Sequence, residues 1–225
     1  MKDKFVLFVV PTPIGNLEDI TYRSIKTLKN SDYILCEDTR VSRKLLDRYN
    51  IKKSLFSYHS FNEHKVVKKY IDEVLSGKII SLISDAGTPS ISDPGFLIIR
   101  EAIKNNIEID CLPGATAFVP ALVNSGISSD RFIFEGFLPT KKGRKKRLEL
   151  LSNEKRTIII YESPKRILKT LKELIVFFGK DRKASVSREL TKIYQENKRG
   201  TLEELFVIFE TRIIKGEIVL IIDGK

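Results

Sequence analysis

Three short segments of the sequence place small, polar and ring-constrained residues directly after apolar runs. They are Pro11-Thr12-Pro13-Ile14-Gly15-Asn16, Ser84-Asp85-Ala86-Gly87-Thr88-Pro89 and Pro113-Gly114-Ala115-Thr116. Each reads as a tight loop after a buried strand, and small residues there let backbone N–H and C=O groups approach a ligand closely. In an open α/β sheet, ligands bind in the crevice beyond the carboxyl ends of the strands. One such loop is an ordinary strand–helix turn, whereas three together imply a lined cleft. Ionisable residues gather beside them. Glu37-Asp38-Thr39-Arg40 follows the apolar Tyr33–Cys36, Asp85 lies in the second loop, and Asp93 precedes Pro94-Gly95. Glu162-Ser163-Pro164-Lys165-Arg166 follows another apolar run. A carboxylate at a strand end binds a hydroxyl or an ammonium, or it caps the next helix. For Asp93 and Glu162 both readings stand.

Several familiar chemistries are missing. No G-x-G-x-x-G follows the first strand and no G-x-x-x-x-G-K-[ST] occurs, which argues against a Rossmann dinucleotide enzyme and a P-loop NTPase. His59 and His64 flank Glu63 at a spacing that is not the i, i+4 pair of a helix-borne metal site. No Cys-rich ligand set is present, so no metal is expected. Gly-x-Ser-x-Gly is absent, which weakens hydrolase readings.

Composition narrows the class further. The 225 residues hold 40 Lys+Arg against 29 Asp+Glu, a net charge of +11, with 42% hydrophobic residues. Such a chain buries a core and is not disordered. Cys36 and Cys111 lie in apolar runs and are expected to be reduced core residues of a cytoplasmic protein. No run is long enough to span a membrane, and the apolar run after Met1-Lys2-Asp3-Lys4 is too short for a secretory signal. The charge excess points to a polyanionic partner. It is densest at Lys141-Lys142-Gly143-Arg144-Lys145-Lys146-Arg147, with a smaller group at Lys192, Lys198 and Arg199. Lys141, Lys142, Arg144, Lys145, Lys146 and Arg147 are therefore the candidate nucleic-acid contacts. A solvated basic loop is the plain alternative.

The elements that must position these residues alternate. Strands are expected over 5–10, 33–36, 55–58, 79–83 and 107–111. Helices are expected over 20–28 with Asp19 as cap, and over 41–49, 63–75, 95–104 and 117–124. The pattern pauses at Gly126-Ile127-Ser128-Ser129-Asp130, giving domains 1–126 and 127–225. Strands over 132–136, 157–161, 184–188 and 216–222 and helices over 145–151, 164–178 and 202–209 fill the second. Both halves read as α/β, the second more antiparallel.

The motifs carry a resemblance. Val10-Pro11-Thr12-Pro13-Ile14-Gly15-Asn16-Leu17-Glu18-Asp19-Ile20-Thr21 resembles the opening motif of the 16S rRNA ribose methyltransferases of the tetrapyrrole methylase superfamily. So do Glu37-Asp38-Thr39-Arg40, the second loop with Asp93-Pro94-Gly95, and Leu112-Pro113-Gly114. Further along, Phe134-Glu135-Gly136-Phe137-Leu138-Pro139, Tyr161-Glu162-Ser163-Pro164 with Arg166, and Arg188-Glu189-Leu190-Thr191-Lys192 also match. The resemblance implies two α/β domains of the tetrapyrrole methylase type with the cofactor cleft between them, S-adenosyl-L-methionine as cofactor, and a homodimer. It also implies methylation of a cytidine ribose 2′-hydroxyl in the decoding region of 16S rRNA, with the small ribosomal subunit as partner and no membrane. Its cofactor loops fall on Thr12, Pro13, Ile14 and Gly15; on Asp85, Gly87 and Thr88; on Thr116 and Ala117; and on Ile160 and Tyr161. Many relatives continue with a helical tail where this sequence stops, and lack of a tail is expected to weaken rRNA capture rather than methyl transfer.

A ribose hydroxyl is a poor nucleophile, so its proton must be removed or its developing charge stabilised. On this reading Asp85 contacts the cofactor, Glu37 or Asp38 is the base, and Arg40, Lys165 or Arg188 stabilises the oxyanion. Two alternatives stand beside it. One is a superfamily methyltransferase acting on a small tetrapyrrole or diphthamide-type substrate. The other is a catalytically silent rRNA-binding factor.

Overall fold

The computed structural model describes residues 6–225. The Met1-Lys2-Asp3-Lys4 segment and the first residue of the strand expected over 5–10 lie outside them. The chain forms two compact units that meet at Thr116/Ala117.

The first unit holds strands β1 (Val6–Val9), β2 (Tyr33–Cys36), β3 (Ser54–Ser57), β4 (Ile80–Leu82) and β5 (Glu108–Cys111). Its helices are α1 (Tyr22–Asn30), α2 (Thr39–Arg48), α3 (Glu63–Leu75) and α4 (Phe96–Lys104). The sheet order is β3-β2-β4-β1-β5, with every pair parallel. Strand side chains alternate between faces. Tyr33 and Leu35 pack with Tyr70, Ile71 and Val74 of α3 and Ile98 and Ala102 of α4. Ile34 and Cys36 pack on the other side with Leu28 of α1 and Leu45 and Leu46 of α2. Burial on both faces is why the inner strands read as unbroken apolar runs.

The second unit holds β6 (Phe132–Phe137), β7 (Thr157–Glu162), β8 (Lys183–Arg188), β9 (Glu196–Thr201) and β10 (Ile218–Ile222). Helices α5 (Phe118–Ser125), α6 (Arg144–Ser152), α7 (Ile167–Phe178) and α8 (Leu202–Glu210) accompany them. The order is β6-β7-β10-β8-β9; only β6 and β7 run parallel. Leu148 and Leu151 of α6, Leu171 and Leu174 of α7, and Leu205 and Phe209 of α8 form one core with Ile158, Ile160, Val186 and Leu220. No helix among the described residues is long and apolar enough to cross a membrane.

Several expectations shift. The division falls before α5 rather than at 126/127, because α5 packs on β8, β9 and β10. Thr21, not Asp19, caps α1, accepting a bond from the Ser24 N–H, while Asp19 lies in a preceding 3-10 turn. Helix α2 begins at Thr39 because Asp38 caps it. Strand β9 was not expected: Glu-Asn-Lys-Arg-Gly-Thr has no apolar alternation because it is an edge strand, held by its ladder to β8. Cys36 is buried as expected, but Cys111 is exposed because β5 is an edge strand.

Candidate functional site

The order β4-β1-β5 sets the three loops side by side at the carboxyl ends of adjacent parallel strands. The loops are also fastened to one another. Thr12 and Gly87 exchange both backbone hydrogen bonds, each at 2.9 Å. The Thr12 hydroxyl donates to the Ser84 carbonyl at 3.0 Å. The Thr88 hydroxyl donates to the Ala115 carbonyl at 3.2 Å, joining the second loop to the third. Gly114 sits so close to Pro11 that a Cβ there would stand 2.5 Å from the Pro11 Cβ. Gly87 occupies the junction with φ +82°, where an added Cβ would meet Ile14 and the Ala115 carbonyl. Thr12, Pro13 and Ile14 are buried, while Gly15 is exposed. Thr12 was expected to contact a ligand; its hydroxyl instead ties two loops together. Thr116 ends the first unit and Ala117 is the N-cap residue of α5 in the second.

The end of β2 joins this group, since the Asp38 N–H donates to Asp85 Oδ1 at 3.0 Å. Three carboxylates thus gather at the ends of β2 and β4, and their surroundings separate them. Asp38 caps α2 through the Arg40 N–H and grips the Arg40 guanidinium, with the closest pair at 2.6 Å. The bonds from Arg40 hold its carboxyl down at about 2. Burial pushes Asp85 above its ordinary value, and the Asp38 charge adds to this against the Asp38 N–H bond. Burial likewise raises Glu37, reinforced by the Asp85 charge and opposed by His59 and the Asp85 backbone N–H. A group held low accepts protons poorly, whereas one whose value is raised accepts them more readily. The structure thus separates Glu37 from Asp38, which the sequence left equivalent. Arg40 projects beside them, with its side chain 87% exposed. Among the described residues, no group of three or more His, Cys, Asp or Glu side chains is arranged to hold a metal ion.

The candidates in the second unit fare unevenly. Ile160 turns its side chain into the core, so only its backbone is left for a ligand. Tyr161 lies on the opposite face, edge-on to Phe134 at 5.0 Å and Phe137 at 5.7 Å between centroids. Lys165 is exposed. Arg188 is committed to structure: it pairs with Glu196 and donates to the carbonyls of Lys215 at 2.9 Å and Tyr194 at 3.1 Å. Those bonds remove it as an oxyanion stabiliser. In the same motif Glu189 and Thr191 take left-handed backbone, φ 51° and 66°, and Lys192 is paired with Glu189 and Glu217. A β-branched residue there is strained.

The basic cluster is not a free loop but the approach to α6 and its first turn. Lys141, Lys142, Lys145 and Lys146 are exposed. Arg144 is buried, 5% exposed, with its guanidinium bonded inside the unit, so it is not a surface phosphate contact. Arg147 is paired with Glu135, the residue at the register shift in β6. What the sequence did not reveal is the partner set of Arg144, namely Thr170 and Glu173 on α7. The three-residue step from Thr170 to Glu173 within α7 was the available signal, since residues so spaced share a helix face.

The family model for Tetrapyrrole (Corrin/Porphyrin) Methylases matches residues 6–205. A protein named Ribosomal RNA small subunit methyltransferase I from Halalkalibacterium halodurans is 48% identical over 224 residues, covering 99% of this chain and 77% of that protein. One of the same name from Thermotoga maritima is 44% identical over 219 residues, covering 97% and 98%. Among solved structures, a cobalt precorrin-4 methyltransferase of cobalamin biosynthesis superposes with TM-score 0.71 at 19% identity, covering 97% of this chain and 95% of that one. A diphthine synthase gives 0.74 at 13%, covering 97% and 90%. At those identities the structures speak for the fold alone.

Proposed function

The chain belongs to the tetrapyrrole methylase family, and on that premise we propose that it uses S-adenosyl-L-methionine to methylate the ribose 2′-hydroxyl of a cytidine in the decoding region of 16S rRNA. The observation that supports this most is identity of 44 to 48% along nearly the whole chain with proteins named for small-subunit rRNA methylation. A homodimer in solution is part of the same proposal.

The residues present fit the cofactor. Asp85 offers a carboxylate, raised by burial, to a cationic or hydroxyl group. The Gly87 and Gly114 loops are pinned together, so backbone groups are available without reorganisation. When bound, the cofactor supplies a methyl group already activated on a sulfonium. The chain's own part is to hold Asp85 and the loops in place, exclude water, and have Glu37 take the proton of the 2′-hydroxyl. Arg40, held by Asp38, supplies the positive charge that would stabilise the developing alkoxide. The exposed lysines before and in the first turn of α6 hold RNA phosphates.

The test is transfer of a labelled methyl group from S-adenosyl-L-methionine to 30S particles, followed by mapping of the modified nucleotide. The expected product is one 2′-O-methylcytidine in the decoding region of 16S rRNA. A methylated base, a methylated small tetrapyrrole, or no incorporation would sink the reading.

A further inference from the structure

The first turn of α6 lies over α7, and the two helices leave a solvent-open cleft of about 330 Å³ lined by Thr140, Lys141, Arg144, Lys145, Lys169 and Glu173. Four cationic side chains face one carboxylate. That carboxylate is already engaged: Glu173 Oε2 accepts from Arg144 Nε at 2.7 Å, and its other oxygen lies 4.0 Å from the Lys169 ammonium. Lys141 and Lys145 are exposed, and the Lys169 side chain is 65% exposed. The cleft therefore carries uncompensated positive charge at its mouth and a neutralised floor.

The floor is fixed in an unusual way for so basic a segment. Besides Glu173, Arg144 donates to the Thr170 hydroxyl at 2.7 Å and to the Pro139 carbonyl at 3.1 Å. Thr170 passes the chain on to Glu162 Oε2 at 2.6 Å. Glu162, buried at the end of β7, also accepts from Ser163 N–H at 2.8 Å and from Arg166 at 2.7 Å. A planar guanidinium reaching three acceptors in different directions does what a lysine ammonium on a flexible stem does not. One arginine turned inward thus holds Pro139, the start of α6 and α7 in register, while its lysine neighbours stay in solvent.

Resting on the reading of this segment as the RNA-holding part, we propose that the α6/α7 cleft is a phosphate subsite for the RNA backbone. Lys169 is a contact alongside Lys141 and Lys145, and Arg144 is a positioning residue that touches no phosphate. Phosphate contacts fix register and orientation without reading sequence. The contribution of this cleft is therefore the same for the target RNA and for an unrelated RNA.

Binding of a labelled decoding-region RNA, measured at several salt concentrations, tests the proposal. Lys169→Gln is expected to weaken binding about three- to tenfold and to flatten the log–log salt slope by about 0.7 to 0.9, the loss of one phosphate contact. Cofactor affinity and turnover at saturating 30S particles stay unchanged, so the effect falls on KM alone. Arg144→Met is expected to weaken RNA binding in the wild-type background and to add nothing once Lys141, Lys145 and Lys169 are all glutamine, because it acts through them. Thr170→Val, which removes one bridging hydroxyl, repeats that pattern more mildly if Arg144→Met fails to fold. Unchanged affinity and slope in Lys169→Gln overturn the subsite, and additive losses for Arg144→Met overturn the positioning role. A wild-type protein that methylates 30S particles beside such variants fails this inference alone. A wild-type protein that neither binds nor methylates them fails the proposed function as well.

Discussion

Glu37 and Asp38 are neighbours in the chain but sit in opposite electrostatic surroundings. Asp38 is bound by the backbone and guanidinium of Arg40, which hold its carboxyl at about 2, so it stays ionised and unreactive. Glu37 is half-buried, and burial together with the Asp85 charge raises it above its ordinary value. A base must be ionised to accept a proton, so on the proposed function turnover is expected to fall as pH drops through the titration of Glu37. Because that titration is raised, the acid limb of the kcat profile lies above the ordinary glutamate value of about 4.3. Glu37→Gln is expected to lower kcat about 10²- to 10⁴-fold, the range for a general base, while cofactor affinity by calorimetry stays the same. Asp38→Asn keeps a good helix cap but removes one of the charges that raise Glu37, so the acid limb is expected to move slightly down in pH. A Glu37→Gln protein with wild-type kcat would falsify the assignment.

The unit of this site is the strand-end loop, and its integrity depends on contacts between loops. Gly114 has no room for a side chain against Pro11, so Gly114→Ala must part the first and third loops. Overpacking of that kind costs about 1–3 kcal/mol. The expected outcome is a stability loss of that size in urea unfolding, together with weaker cofactor binding by calorimetry. A variant as stable as the wild type that binds cofactor equally well would show the loops tolerate separation. The loops themselves were legible: a buried strand followed by Gly, Pro and small polar residues is a local signal, and all three lie at neighbouring strand ends. Their fastening was not, because the Thr12–Gly87 bridge joins segments far apart in sequence. Strand β9 escaped for a related reason, since an edge strand held by backbone bonds needs no apolar pattern. Arg144 reads in sequence like its lysine neighbours, and only the packing of α6 on α7 turns it inward. Arg188 shows the same limit: its charge was visible, and the acceptors that engage it were not.

Across the whole molecule the positive charge is unevenly placed. Residues 1–116 carry 17 Lys+Arg against 15 Asp+Glu, whereas 117–225 carry 23 against 14. The first unit, with the carboxylates and stitched loops, is thus nearly neutral, and the second carries most of the net +11. A methyltransferase acting on a polyanion benefits from this division. On the proposed function, long-range attraction would capture the RNA through one unit, while the other keeps raised carboxylates that a strongly basic setting would hold low. Salt is expected to separate the two functions, because counterion release governs RNA binding and a small cofactor does not release counterions on that scale. With about four phosphate contacts, raising salt from about 50 to 200 mM is expected to weaken 30S binding roughly a hundredfold. Over the same range the dissociation constant for S-adenosyl-L-methionine stays within about twofold, since screening acts weakly on partly buried groups. Titrating both ligands across that series decides the matter. A flat RNA response would make the second unit's charge a solubility feature, and parallel losses for RNA and cofactor would contradict the division of labour.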